Sequence, residues 1–205
     1  DQRRYTETDA AEQTEIARLR ETSGGRPILL NIGRLVGYKG QGYLVEAIRD
    51  LDVTLWFAGT GPLQTELEQQ VTRLGLSDRV RFWGGVDDRQ LAALLKASDV
   101  FVLPSITPNE AFGIVQIEAM ACSKPIICTD LPSGVPWVNQ HGTTGLVVKP
   151  NDVAALRAGI LQLTENPDLA RQMGVQGRQR AAVEFTEDRM IDRYWELFQR
   201  LRPRA

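Results

Sequence analysis

The sequence predicts an α/β domain of the doubly wound type, a parallel sheet of about six strands with helices on both faces. Two observations predict it. From Pro27 onward, short apolar runs alternate with amphipathic stretches, the pattern of repeated strand–helix units. Those runs are continuously apolar and do not alternate with polar residues, as expected of strands covered on both faces. Folds of this kind bind ligands beyond the carboxyl ends of their strands, so the loops after the strands are where chemistry is sought.

The elements follow in order. PILLNIG (27–33) reads as the first strand, followed by a Gly-punctuated loop to Gly42 and a helix near 42–50. VTLWFAG (53–59) is the second strand. A long helix is expected from Pro62 to Leu74, with Pro at its first position and Gly75 just past its end, the usual asymmetry of helix start and stop. VRFWG (80–84) is the third strand, and Leu91, Leu94 and Leu95 mark one face of a helix over 88–97. DVFVLPS (99–105) is the fourth, with a helix expected from Phe112 to Cys122. PIICTD (125–130) and GLVVK (145–149) complete the sheet, and three helices near 152–164, 167–182 and 187–201 close the chain. Residues 1–26 read as a linker with a helical segment, 27–186 as the domain, and 187–205 as a C-terminal helix. Thr186 can cap that last helix, whose Met190, Ile191, Tyr194, Leu197, Phe198 and Leu201 form an apolar stripe. Docking on its own domain is the plain expectation for it.

Composition narrows the function classes. In 205 residues, 42% hydrophobic and 24% charged is an ordinary globular mix, which argues against disorder and fibrous repeats. Lys and Arg number 24 against 26 Asp and Glu, a net charge of −2; a surface built to grip nucleic acid would be basic. No apolar run approaches the ~18 residues that span a bilayer. Two cysteines are too few for a disulfide scaffold. The chain opens on DQRRYTETD, without Met or an apolar signal core, so a piece of a longer protein is expected.

Two loops carry candidate chemistry. The first, GRLVGYKGQG (33–42), places Arg34 and Lys39 among four glycines. Glycines let backbone approach a ligand, and a guanidinium with an ammonium suits phosphate oxygens. The spacing is neither GxGxxG nor a P-loop, and a mobile loop with two solvated charges is the plain alternative. The second, PSITPNEAFG (104–113), runs into IVQIEAMAC, with Glu110 before the helix and Glu118 two turns inside it. Each acid has a plain reading: Glu110 as a dipole-favoured residue, Glu118 as a solvent-facing one. Yet Glu118 lies in a helix apolar almost all round, where a charge needs a partner. The amides of Phe112, Gly113 and Ile114 stand at a helix start, a ready anion site.

GRLVGYKG, PSITPNEAFGIVQIEAMACSKPIICTD and HGTTGLVV with PNDVAALRAGI together resemble the retaining glycosyltransferases of family 4, the group 1 glycosyltransferases of GT-B fold. The resemblance runs from Pro27 to the C-terminus. Its most specific mark is the Glu-x7-Glu pair, Glu110 and Glu118, in this setting of strand, Pro-Ser and Glu-Ala-Phe-Gly. The Arg-to-Lys spacing of the first loop is the second mark. One departure is Ser123, where the family usually has Gly, a change confined to a helix C-cap.

The resemblance implies a Rossmann-like domain that binds a nucleotide-diphosphate sugar, GDP- or UDP-linked, and forms the C-terminal half of a bacterial enzyme of polysaccharide biosynthesis. It implies transfer of a hexosyl group, mannosyl among the candidates, to a glycan or lipid-linked acceptor held by an absent N-terminal domain. Gly33, Arg34 and Lys39 would hold the diphosphate, and the amides from Phe112, Gly113 and Ile114 to Val115 would approach it or the sugar. Glu110 would orient the donor sugar and Glu118 would take the ribose hydroxyls. The base would lie against the loop from Gly84 to Val86. Glu110, Arg34 and Lys39 are then the catalytic set, acting by positioning and electrostatics on the leaving diphosphate. No other cofactor, metal or nucleic-acid partner is expected, and the location is cytoplasmic, with any hold on the inner membrane face left to the absent domain. In GT-B proteins the C-terminal helix often crosses to the other domain. Alone, the chain is expected to bind nucleotide and transfer little. A GT-B epimerase or phosphorylase and a ligand-free interaction module are the alternatives, and neither accounts for both loops together. His141 reads as a loop residue, Cys122 and Cys128 as small buried hydrophobes, and Trp56, Trp83 and Trp137 as packing aromatics, Trp137 near the cleft.

Overall fold

The computed structural model describes residues 3–201. Its strands are β1 (Ile28–Ile32), β2 (Thr54–Ala58), β3 (Val80–Phe82), β4 (Val100–Leu103), β5 (Ile126–Thr129) and β6 (Gly145–Val148). Its helices are α1 (Arg3–Thr6), α2 (Ala10–Glu21), α3 (Gln41–Ala47), α4 (Gln64–Arg73), α5 (Asp88–Ala97), α6 (Val115–Ala121), α7 (Val135–Val138), α8 (Val153–Thr164), α9 (Pro167–Glu184) and α10 (Glu187–Leu201). The strands form one sheet in the order β3-β2-β1-β4-β5-β6, parallel throughout. This is the doubly wound α/β fold that the sequence predicts.

Successive side chains point to opposite faces, so each strand feeds two cores. Leu30, Trp56, Phe101 and Ile126 pack with α5 and α6 on one face. Leu29, Leu55, Val102 and Ile127 pack on the other, with Leu44 of α3, Leu67 of α4 and Ile160 of α8. That double burial is why the strands are apolar without alternation. Helix starts are set by aspartates: Asp9, Asp87 and Asp152 each accept from a backbone amide three residues on, at 2.7–2.9 Å.

Three expectations need correction. Helix α4 begins at Gln64, not at Pro62, because Leu63 donates its amide to the Leu35 carbonyl and stays with the first loop. Helix α6 begins at Val115, not Phe112, because Gly113 sits at φ +69°, a left-handed backbone no α-helix accommodates. The apolar stripe of α10 does not dock on the domain: Met190, Ile191, Tyr194, Trp195, Leu197, Phe198 and Leu201 are 48–69% exposed. An apolar groove of about 460 Å3 separates its Met190 and Tyr194 from Phe112, Ile117 and Trp137. Among the described residues, no helix is long and apolar enough to cross a membrane.

The N-terminal segment is tied to the sheet. Lys96 of α5 holds both oxygens of Glu12 at 2.7 Å, and Arg20 bonds the Ala97 carbonyl and Asp99. Ser123 follows α6 at φ +57°, and α9 crosses so close that a side chain at Gly174 would strike the Ser123 carbonyl.

Candidate functional site

Strand order reverses between β1 and β4, where chain progress to one side gives β2 and β3 and to the other β5 and β6. A crevice opens at such a switch point beyond the strand ends. Pairing there covers only Leu29 with Val100 and Leu30 with Phe101. One residue further the ladder is replaced by a side chain, with Asn31 Nδ2 donating to the Val102 carbonyl at 2.8 Å. The two loops singled out in the sequence leave from these two strands, so the topology alone brings them together.

The loops are in contact. Gly40 sits at φ +68°, and a Cβ there would lie 2.1 Å from the Pro104 carbonyl oxygen; only glycine fits. Ile106 donates its amide to the Tyr38 carbonyl at 2.8 Å. Gln41, buried, donates from Nε2 to the Arg34 carbonyl at 3.1 Å and fastens the first loop from within.

The charges do not stand as the sequence suggests. Lys39 and Glu110, expected to act separately on phosphate and sugar, form an ion pair with each other, their side chains 11% and 10% exposed. Glu110 Oε2 accepts from Lys39 Nζ and from Ser105 Oγ, the latter at 3.0 Å. Its Oε1 accepts nothing among the described residues, so one oxygen of a fixed carboxylate remains for a ligand hydroxyl. Arg34 is exposed and makes no ion pair among the described residues. It is the cation the loops leave uncompensated.

Beyond Glu110 the backbone stays open. The amides of Phe112, Gly113, Ile114 and Val115 donate to no group among the described residues. The turn is held from behind by Gln116, whose Nε2 donates to the Phe112 carbonyl at 3.2 Å and the Val135 carbonyl at 3.4 Å. Gly134 donates to the Ala111 carbonyl at 2.7 Å. Phe112 packs against Trp137 and Phe185, and Trp137 is 48% exposed beside the turn.

Glu118 has the partner its setting demands, supplied by the N-terminal segment. Burial pushes its carboxyl above the ordinary value, while a hydrogen bond from Tyr5 and the charge of Arg4 pull it back and Asp88 adds to the rise. Asp88 opens α5, two residues after the Gly84–Val86 loop. Gly84 is left-handed at φ +67° and accepts from the Gly59 amide at 2.7 Å. Of the predicted residues, Lys39 and Glu110 are joined to each other, with Gly33 beside Lys39, and Glu118 stands apart with Tyr5, Arg4 and Asp88. Sequence reasoning missed Tyr5, Ser105, Gln41 and Gln116. His141 is a loop residue whose Nδ1 accepts from the Val147 amide at 3.0 Å. Cys122 and Cys128 are free thiols, each pushed up to about 12 by burial.

The family description "Glycosyl transferases group 1" matches residues 12–180. The chain belongs to the group 1 glycosyltransferases. It is 40% identical over 167 residues to the D-rhamnosyltransferase WbpZ of Pseudomonas aeruginosa, covering 82% of this chain and 43% of that protein. It is 32% identical to the O-antigen chain mannosyltransferase C of Escherichia coli, covering 89% of this chain and 49% of that one. The chain therefore spans about half the length of the curated relatives it matches. HepE of Anabaena, solved in complex with UDP, superposes with a TM-score of 0.86 at 27% identity, over 98% of this chain and 56% of that one. The C-terminal domain of LpcC from Francisella tularensis shares the fold, with a TM-score of 0.75 at 22% identity over 91% of this chain and 98% of that one. The doubly wound domain thus corresponds to about half of each full-length glycosyltransferase it matches.

Proposed function

We propose that this chain is the donor-binding domain of a retaining glycosyltransferase that moves a hexosyl group from a nucleotide-diphosphate sugar to a glycan or lipid-linked acceptor. One observation carries the reading. Arg34, without an ion pair among the described residues, the Glu110 carboxylate and the amides from Phe112 to Val115 all lie on or just after the two loops that leave β1 and β4 at the switch point. A diphosphate sugar needs those groups: cations and amides for the phosphates, an acceptor for sugar hydroxyls. Lys39, paired to Glu110 at rest, stands between phosphate and sugar and adds its charge to both. Charge that develops on the leaving diphosphate meets fixed donors, while Glu110 orients the sugar and forms no bond to it. Glu118 takes the ribose hydroxyls and the Gly84–Val86 loop receives the base. The donors in the names of related enzymes include GDP-mannose, and HepE has been solved with UDP-glucose, which supports a GDP- or UDP-sugar. The uncovered face of α10 supports a whole protein in which a second half, carrying the acceptor, closes on residues 187–201.

Calorimetric titration of the chain with UDP, GDP and ADP tests the reading. Selective binding of one diphosphate is expected and names the base. Failure of all three to bind both this chain and the full-length protein that carries it would overturn the reading.

A further inference from the structure

We propose that Tyr5 is a positioning residue for the nucleotide: its hydroxyl holds the Glu118 carboxylate in place for the ribose. The inference rests on the reading of Glu118 as the ribose-binding acid. It concerns a segment, Arg4 to Asp9, that lies outside both loops and outside the matched family region.

The geometry is built, not incidental. The Tyr5 ring is 9% exposed and belongs to the core between α5 and α6. A buried tyrosine needs an acceptor for its hydroxyl, and that acceptor is Glu118. Tyr5 is anchored by its own backbone, since the Cys122 thiol donates to the Tyr5 carbonyl at 3.6 Å. On either side the segment is pinned to α5: Arg4 pairs with Asp88, and Lys96 bonds the Glu7 carbonyl and Glu12. The hydroxyl is therefore presented to Glu118 by a clamped segment.

The charged and titratable groups acting on Glu118 are Tyr5 and Arg4 of α1 and Asp88 of α5, with Cys122 one turn along α6. Helix α9 meets Met120 of α6 and Ser123 just after it through Gly177 and Gly174, residues without charge. Burial favours the protonated acid and the Tyr5 bond favours the carboxylate. A ribose hydroxyl donates, so it binds the ionised form better. Deleting the Tyr5 hydroxyl thus raises the carboxyl further, and affinity lost on acidification is lost at a higher pH.

The test is calorimetric titration with UDP and GDP between about pH 5 and 8, on the unchanged chain, Tyr5→Phe and Glu118→Gln. Phenylalanine keeps the ring in its core, so packing alone predicts no change. Tyr5→Phe is expected to bind about tenfold more weakly at neutral pH, the scale of one hydrogen bond to a charged group. Its acid-side loss should begin at a higher pH than in the unchanged chain. Glu118→Gln should bind weakly, and its profile should show only the nucleotide's own titration. Coincident profiles for Tyr5→Phe and the unchanged chain, with Glu118→Gln weaker, would overturn the role of Tyr5 and leave that of Glu118. Equal binding by Glu118→Gln and the unchanged chain, or no binding by the unchanged chain, would overturn the reading of Glu118 and the inference with it. Carboxyl NMR of Glu118 gives a second readout: its titration midpoint must rise in Tyr5→Phe, and an unmoved midpoint contradicts the proposal without reference to any ligand.

Discussion

Lys39→Met is expected to destabilise the domain by about 3–5 kcal/mol, the range for removing one partner of a buried ion pair. For a domain of this size that lowers the melting temperature by about 6–20 °C. The size of the effect follows from what is left behind. Glu110, 8% exposed, would keep only the Ser105 hydroxyl as a donor, and a desolvated carboxylate with one neutral partner is costly. Adding Glu110→Gln to Lys39→Met should recover most of the loss, because a neutral pair of similar shape carries no such penalty. Thermal or urea unfolding of the two single variants and the double variant measures this. A Lys39→Met variant within about 1 kcal/mol of the unchanged chain would mean that water reaches the Glu110 carboxylate and replaces the ammonium there.

Glu110→Gln in the full-length protein is expected to lower turnover by about a hundredfold or more, while donor affinity changes by less than about tenfold, since misplacing a bound substrate by an ångström has effects of that order. The carboxylate holds two donors on Oε2 and offers Oε1 to the sugar. A glutamine keeps one acceptor oxygen for the ammonium and the Ser105 hydroxyl but presents an NH2 donor where Oε1 would accept from the sugar, and it lacks the charge. Most of the binding energy lies with the phosphates, which Arg34 and the amides keep. Parallel steady-state kinetics and donor titration check the split, and equal losses in turnover and affinity would assign Glu110 to ground-state binding.

The fold was legible where burial speaks through periodicity. β1, β2, β4 and β5 are bounded by apolar runs because both faces are covered, and α5 falls on 88–97 because Asp87 caps it and its leucines share a face. The start of α6 was not legible: a helical apolar pattern runs through Phe112 and Gly113, and only the left-handed turn at Gly113 interrupts it. Helix α7 is four residues long, too short to carry a period. At the site, Arg34, Glu110 and Glu118 were legible as chemistry in loops and on a buried helix. That Lys39 and Glu110 pair was not, since they are separated by 71 positions and each has a reason to face a ligand. The contact of Tyr5 with Glu118 joins positions more than half the chain apart, and an isolated tyrosine among charged residues shows no pattern. The exposed face of α10 reads in sequence like any docked helix, because amphipathicity names a buried face and not what buries it.

The most direct measurement is calorimetric titration of the unchanged chain and Arg34→Ala with the nucleoside diphosphate that binds, and with its monophosphate. Arg34 is exposed and makes no ion pair among the described residues, so its removal leaves the folded domain intact and isolates its role in binding. A charge-assisted contact is worth about 1.5–3 kcal/mol, so the account predicts diphosphate binding weakened by about tenfold to a hundredfold, with a smaller loss for the monophosphate. Equal diphosphate affinity in the two proteins would contradict a donor site at the switch point between β1 and β4.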